Sequence, residues 1–523
     1  MAGCPDAHED GSPRPGRAAF AVWAGMMATT AILYIVTANR GPQWQDSGWQ
    51  QLRIVTGRLG SPLGLALAHP LQFHLGRLAI LLGKGLEPAF AITLVSSLAA
   101  AVAVANVAAA VRIVTGRTTE ACLAGWALAV SHTFWQHATH TESYAITAAL
   151  LSAEWVCLAR YATGGSGRWL LAVAAFNGAG IANHNLALLA ALVDVAVLAL
   201  AVREGRLGVR GAIGAIGLWV AGTLPYSVLV AGEAIRSGDV GAALHSALFG
   251  RYASGVLNLR VTGRMAALGL GYVAYNLPNL TGPLAAWGLA GRTSVPRLVK
   301  RVLAAELAIY GVFAGRYAIV DQYTFFFPVY QILAAWAGFG MAEMSARWSR
   351  VRRQAALGLV AGSIAVTPAV YPAAARTARS RGAFASMVAN KPYRDGYRAF
   401  FVPWGVGEDH PRRLNAKAFE LAGTDGLILV ADSMIEPAIR YEQAVARAPA
   451  SVAIIPTAVQ PDGQVAEHIR AAATRYVAEG RAVVLVPVNR DRPVAAIPGT
   501  QWRREGDLYV LVPGRVQSGP AGS

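Results

Sequence analysis

Charge is scarce in this chain. Only 14% of its 523 residues are Asp, Glu, Lys or Arg, against about 25% in an ordinary soluble domain. Lysine is scarcer still: Lys84, Lys300, Lys391 and Lys417 are the only four among 46 basic residues. The three cysteines, Cys4, Cys122 and Cys157, show no paired spacing and no metal-ligand motif, which argues against a disulfide scaffold or a cysteine metal site. With no apolar stretch before it, Cys4 is not expected to be a lipoprotein cysteine. The first apolar run, "AAFAVWAGMMATTAILYIVTA", lacks a small-residue cleavage site and reads as a retained helix rather than a signal peptide.

What the chain has instead is hydrophobicity. Apolar residues make up 54% and the mean hydropathy is +0.40. Apolar runs of roughly 18 to 25 residues, each long enough to cross a bilayer core, recur from Ala19 to about Tyr371. The chain reads as a polytopic α-helical membrane protein. Its net charge of +17 comes from arginines in short loops between the runs, where positive charge marks the cytoplasmic side. That origin argues against a nucleic-acid partner.

Spans are expected to start near residues 19, 89, 119, 143, 168, 186, 211, 265, 302, 323 and 355, eleven in all. The basic loops "RIVTGR", "RYATGGSGR", "REGRLGVR", "RTSVPRLVKR" and "RWSRVRR" are then cytoplasmic, together with the tail 1–18 bearing Arg14 and Arg17. Segment 39–88, "HTFWQHATHTE", "NHN", 233–263 and "RYAIVDQY" fall outside. Residues 61–83 carry His69, Pro70, Gln72, His74 and Arg77 in mid-run. Such polar groups are costly in hydrocarbon, so this segment is expected to lie at the outer interface. A transmembrane domain 19–375 would thus precede an extracytoplasmic α/β domain 376–523. "GLILVADS", "SVAIIP", "RAVVLVPVN" and "DLYVLVPG" read there as buried strands, and "SMIEPAIRYEQAVARA" and "GQVAEHIRAAATRYVAEG" as helices. That domain has no GxGxxG or phosphate-loop spacing. Ser433 and Glu436 fit a capping box.

Polar residues gather on the expected outer face. Asp46 lies in "PQWQDSGWQ" with Trp44 and Trp49, ahead of His69, His74 and Arg77. A loop carboxylate is ordinarily just solvated, tryptophans commonly anchor at headgroups, and His or Arg can snorkel. Aromatic faces can equally stack on sugars, and His and Arg can hold a lipid phosphate. "SHTFWQHATHTESY" adds His132, His137, His140 and Glu142, without the HExxH spacing of a zinc site. "GIANHNLALL" adds Asn183, His184 and Asn185, and "RYAIVDQYTFFFPVY" adds Arg316, Tyr317, Asp321 and Tyr323. Ionisable groups so placed are functional candidates, with helix packing as the plainer alternative for each.

Taken in order, "QDSGW", "AHPLQFHLGRL", "FWQHATHTESYAI", "GIANHNLALL" and "DQYTFFFPVY" resemble a family of membrane glycosyltransferases that includes transmembrane protein O-mannosyltransferases. Its members read DSGE, HPPGYPLY…GRL, FW…EVY, a His-containing pair, then D…FF.P.Y. The family belongs to the glycosyltransferase C superfamily, and the likeness spans about residues 19 to 340. It implies a glycosyltransferase C type fold and a polyprenyl-phosphate sugar donor used at the outer membrane face. Asp46 and Ser47 match the acidic-serine pair, and the resemblance implies that Asp46 is the catalytic carboxylate. Trp49 stands where the family usually has an acidic or aliphatic residue. His69 and Pro70 match, whereas Leu71, Gln72 and His74 replace Pro, Gly and Pro. Gly76 and Arg77, Glu142 and Tyr144, and Asn183 and His184 match.

The chemistry fits these residue types. Attack of an acceptor hydroxyl on an anomeric carbon needs a base, and Asp46 is the candidate, with inversion of configuration. The departing lipid phosphate needs positive or hydrogen-bonding groups, for which His69, His74, Arg77 and Arg316 are candidates. Trp49, Glu142, Asn183, His184, Asp321 and Tyr323 complete the expected substrate site. No cofactor is called for; a divalent metal is not indicated, although some superfamily members use one. The acceptor, whether protein, lipid or glycan, and the sugar stay open, with mannose implied only by the resemblance. The expected location is a bacterial inner membrane, with the N-terminus cytoplasmic and the α/β domain outside. A transporter or flippase of a lipid-linked or anionic substrate is the alternative, and a membrane scaffold for a binding domain is a third.

Overall fold

The structure is a computed structural model that describes residues 15–514, except 292, 387, 389–390, 392–393, 458–465, 489–496 and 498. Cys4 and the tail through Arg14 lie outside the described residues. The chain opens with helix α1 (Pro15–Thr37), followed by α2 (Gln45–Thr56), α3 (Pro70–Leu82) and α4 (Pro88–Thr115). Then come α5 (Thr118–Ala129), α6 (His132–Thr139), α7 (Tyr144–Ala162), α8 (Arg168–Asn183), α9 (Ala187–Arg203) and α10 (Val209–Ser237). The third group is α11 (Val240–Leu248), α12 (Ala253–Val256), α13 (Gly263–Asn276), α14 (Thr281–Ala290), α15 (Arg297–Arg316), α16 (Gln322–Phe325), α17 (Phe327–Arg347) and α18 (Arg350–Ser380).

Each of the eleven expected apolar runs is helical. Six helical stretches have the length and hydropathy to cross a membrane by those measures alone: 16–37, 65–82, 88–115, 144–162, 209–237 and 350–380. The run expected from residue 265 is broken into α13 and α14. Segment 65–82, expected at the interface, satisfies the length and hydropathy test by itself. Two expected outer loops are largely helical: "HTFWQHATHTE" forms α6, and 233–263 contains the end of α10, then α11 and α12.

The bundle core is made of small residues. Helix α4 alternates Ala and Val through its middle and buries both, which lets neighbouring backbones approach closely. Gly288 of α14 and Gly340 of α17 show the limit of that approach. A Cβ on either would collide with a carbonyl of the other helix, Trp336 or Leu284. Polar ties fix the packing. Asn106 of α4 accepts from Trp23 Nε1 of α1 at 2.8 Å and donates to the Ala149 carbonyl of α7 at 3.1 Å. Trp155 Nε1 of α7 donates to Glu306 Oε2 of α15 at 2.7 Å.

Helix α18 continues to Ser380, past the expected boundary, and α19 (Gly396–Phe401) and α20 (His410–Ala422) lead into the C-terminal domain. Strands β1 (Leu427–Val430), β2 (Ala453–Pro456), β3 (Val483–Val486), β4 (Thr500–Glu505) and β5 (Leu508–Pro513) form one sheet in the order β2-β1-β3-β5-β4. The first three are parallel, with Ile428 opposite both Ile454 and Val484; β5 and β4 add as an antiparallel hairpin. Alternation assigns the faces. Ile428, Val430, Val484 and Val486 pack under α20 and α21 (Glu436–Ala444), and Leu427, Leu429, Val483 and Leu485 under α22 (Glu467–Ala478). The expected capping box is absent: α21 begins at Glu436 with Ile435 in the cap position, Asp432 Oδ1 instead accepts from the Met434 N–H, and Glu436 pairs with Arg440.

Connectivity brings one set of ends together. The end of α1, the starts of α4, α7, α9 and α17, and the ends of α8 and α15 meet at one pole of the bundle. The short basic loops 112–117, 160–168, 203–210 and 347–353 join the opposite ends. Helices α2, α3 and α6 and the α/β domain pack onto the first pole.

Candidate active site

Helix α2 builds the centre of this pole. Asp46, Trp49, Gln50 and Arg53 are spaced i, i+3, i+4 and i+7, so they share one helical face. All four line a single small cleft. Ser61, Pro62, Leu63, Leu67 and His69 close it from the chain that follows.

His69 has φ 48°, in the left-handed region, although a proline follows it. Such a conformation in a non-glycine residue persists only where the surroundings impose it. Here the ring is pinned: Nδ1 lies 2.7 Å from the Asn183 carbonyl, and the imidazole stacks on His184 with centroids 5.1 Å apart. Tyr144 packs between His184 and His137 at 5.0 Å from each. Asn183 itself donates to the Ser143 carbonyl and to Thr147 Oγ1, so its side chain ties helix ends together while its carbonyl fixes His69.

Three carboxylates face the same space. Burial and then the nearby Asp321 raise Asp46 to about 6. Burial and the charge of Asp46 raise Glu142 to about 8, and Ser47 Oγ donates to Glu142 Oε1 at 2.8 Å. Burial raises Asp321 as well. At neutral pH Asp46 is therefore ionised and Glu142 carries a proton, two carboxyls in opposite states. Glu142 Oε2 also lies 3.9 Å from His137 Nδ1. His140 belongs to a separate pair. Burial opposes its charge, but a 3.2 Å hydrogen bond to Glu408 raises its pKa and lowers that of the glutamate.

The four expected phosphate ligands divide. His69 lines the cleft. His74 is exposed, with its ring against Phe73. Arg77 donates to the Ile54 and Val55 carbonyls, capping the end of α2. Arg316 donates to the Val256 and Asn258 carbonyls at 2.6 Å each, holding the α12 turn. The reason is common: exposed or loop-end arginines find orphan carbonyls first. Tyr323 packs among Tyr272 and Phe400 beside Asp321, its ring 5.9 and 6.2 Å from theirs. Among the described residues no group of three or more His, Cys, Asp or Glu side chains is arranged to hold a metal ion.

Sequence reading missed Arg53. Its Nη1 and Nη2 donate to the carbonyls of Leu67, Leu59 and Ala68, while Nε has no partner although the residue is 7% exposed. Burial lowers this guanidinium to about 10, so it stays cationic at neutral pH. The signal was present: Arg53 is seven residues after Asp46, two turns along a helix. It was hidden because 39–60 read as loop.

Residues 65–206 match the family model described as Protein O-mannosyl-transferase TMEM260 N-terminal domain. No individually curated protein matches the chain in sequence. Among solved structures, ArnT from Cupriavidus metallidurans bound to undecaprenyl phosphate superposes with a TM-score of 0.59 at 15% identity, over 94% of this chain and 97% of that one. Its apo state gives the same TM-score and identity, over 94% and 98%. The arabinofuranosyltransferase AftD from Mycobacteria (mutant R1389S) reaches 0.50 at 13% identity, over 94% of this chain and 41% of that one. The resemblance carried by the sequence motifs is thus matched by a family model and by fold. The chain is a multi-pass membrane protein with the fold of these glycosyltransferases, and over residues 65–206 it is similar to the O-mannosyltransferase family.

Proposed function

We propose that the protein moves a hexose from a polyprenyl-phosphate donor to an acceptor hydroxyl at the outer face of a bacterial inner membrane, with inversion. The observation that carries this reading is the face of α2. It presents a carboxylate whose pKa lies near 6, Asp46, and a buried cation, Arg53, to one cleft. Those are the two groups that a sugar phosphate and a nucleophile require. The likeness in fold to an undecaprenyl-phosphate-bound structure supports a polyprenyl carrier.

Asp46 takes the proton of the acceptor hydroxyl as its oxygen attacks the anomeric carbon. The bond from that carbon to the phosphate oxygen breaks, and its electron pair leaves with the lipid phosphate. Arg53, through its free Nε, receives that charge, whereas His69, neutral and donating from Nδ1 to the Asn183 carbonyl, shapes the cleft wall. Trp49 offers an aromatic face to the sugar. Glu142, protonated near neutral pH, donates a hydrogen bond where a second carboxylate charge would repel the phosphate. The acceptor is a protein, lipid or glycan hydroxyl, and mannose is the sugar the family resemblance favours. The test is sugar transfer from labelled polyprenyl-phosphate hexoses in membranes holding wild type or Asp46→Asn. Transfer by wild type that falls at least a hundredfold in the variant is expected. Wild-type transfer retained in Asp46→Asn removes Asp46 as the base.

A further inference from the structure

The residue before Asp46 is in an unusual state, and the C-terminal domain holds it there. Gln45 has φ 60°, a left-handed conformation that side chains with a Cβ seldom adopt. Its N–H donates to the Met434 carbonyl at 2.8 Å, and its Oε1 accepts from Arg394 Nη1 at 3.3 Å. Met434 is fixed in turn, its own N–H bonded to Asp432 Oδ1 at 3.0 Å.

The residues on either side make the same attachment. Trp44 packs on the apolar layer between the sheet and helices α20 and α21. Gly48, one turn into α2, faces Pro437 of α21, where an added Cβ would lie 3.6 Å from the proline Cβ. That Cβ would collide with the Gln43 carbonyl, whereas against Pro437 it would make ordinary van der Waals contact. Both of these bonds to Gln45 come from residues beyond α18.

We infer that the α/β domain is a positioning element for the transferase site: through the Met434 carbonyl it holds Gln45 in the left-handed turn that starts α2 and aims Asp46 into the cleft. Gln45 is a positioning residue, since it acts through Asp46. The inference rests on Asp46 being the base. A displacement of about 1 Å at a reacting group can cost on the order of a hundredfold in rate, so the attachment should be read in kcat. Asp46 is faced by Asp321 from the segment after α15, Glu142 from before α7, Tyr144 of α7, Tyr252, and Arg53 of its own helix. A swing of Asp46 away from the buried, acidic side therefore lowers its pKa.

The experiment uses the full chain in lipid nanodiscs with a polyprenyl-phosphate hexose. Gln45→Pro removes the N–H and forces negative φ; Gln45→Gly keeps the N–H and permits positive φ. Gln45→Pro should lose at least tenfold in kcat with KM for the donor within threefold, and the acid limb of its pH–rate profile should move down from near 6. Gln45→Gly should recover at least tenfold over the proline variant. Wild-type kcat and an unmoved limb in Gln45→Pro overturn the inference, as does a glycine variant no better than proline. Where Gln45→Pro gives no folded protein, Trp44→Ala decides: it must reproduce the kcat fall and the limb shift, and failure to do so overturns the inference equally. A wild type that transfers nothing from any donor sinks the proposed function and this inference with it. An active wild type insensitive to these changes sinks only the inference.

Discussion

Arg53 is the residue on which structure and function are most tightly joined, and replacing it separates the two. The guanidinium bonds three carbonyls, at 2.9 Å to Leu67 and 2.5 Å to Leu59 and Ala68, closing the segment that walls the cleft. Hydrogen bonds from a charged donor contribute about 1.5–3 kcal/mol each, but such values are not additive and carbonyls at an open cleft can recruit water. Arg53→Met should therefore cost about 2–4 kcal/mol rather than the nominal sum. The catalytic loss is separate: removing a cation from beside a developing phosphate charge is worth roughly 10²–10³ in rate. Arg53→Lys keeps the charge but not the fork, and should recover part of the rate and little of the stability. The assay pairs thermal unfolding in detergent with transfer kinetics over a range of donor concentrations. A methionine variant that melts several degrees lower yet keeps kcat and donor KM within twofold refutes the phosphate role and leaves Arg53 a purely structural clamp.

Other outcomes follow from the same geometry. Transfer rate should be bell-shaped, falling below pH about 6 as Asp46 gains its proton and above about 8 as Glu142 loses its own; a flat profile between pH 5 and 7 counts against Asp46. Because the Glu142 pKa is raised on folding, its contribution to stability is complete below its ordinary value of 4.5 and is lost as pH rises through about 8. Glu142→Gln should flatten that slope and raise the stability at pH 8 by an amount on the order of 2–4 kcal/mol, seen as a higher melting temperature. Glu87, at the start of α4, accepts from Tyr441, Arg447 and Arg412 of the α/β domain, with Tyr441 at 2.5 Å and Arg412 at 3.1 Å. Glu87→Gln should loosen that domain by about 1–3 kcal/mol, seen as faster amide exchange across 436–447 with α4 unchanged. Unaltered exchange there would mean that the apolar contacts suffice.

The membrane class, the apolar runs and the strands of the last domain were legible because each depends on local patterning. Residues 427–430 and 483–486 are apolar at every position, as strands covered on both faces must be. Strand β4 was missed because "TQWRRE" is an exposed edge with no apolar run. Helix α2 was missed for a related reason: "QDSGWQQLRIVT" is polar enough to read as loop. Its one-sided burial shows only when something packs on it. The site residues carried by family motifs, Asp46, His69, Glu142, Asn183 and His184, do converge on one pole, as do Trp49, Asp321 and Tyr323.

Sequence alone determined that this chain lives in a membrane and carries an α/β domain after its last long apolar helix. Hydropathy and periodicity are properties of neighbouring residues, so they survive without a fold. Only the tertiary structure decided which cations serve the cleft. Arg53, Arg77 and Arg316 all bond backbone carbonyls, but of the three Arg53 alone lines the cleft, on a helix whose first residue bonds the α/β domain. Which carbonyl an arginine reaches, and which glutamine is held at positive φ, depends on partners hundreds of residues away in the chain.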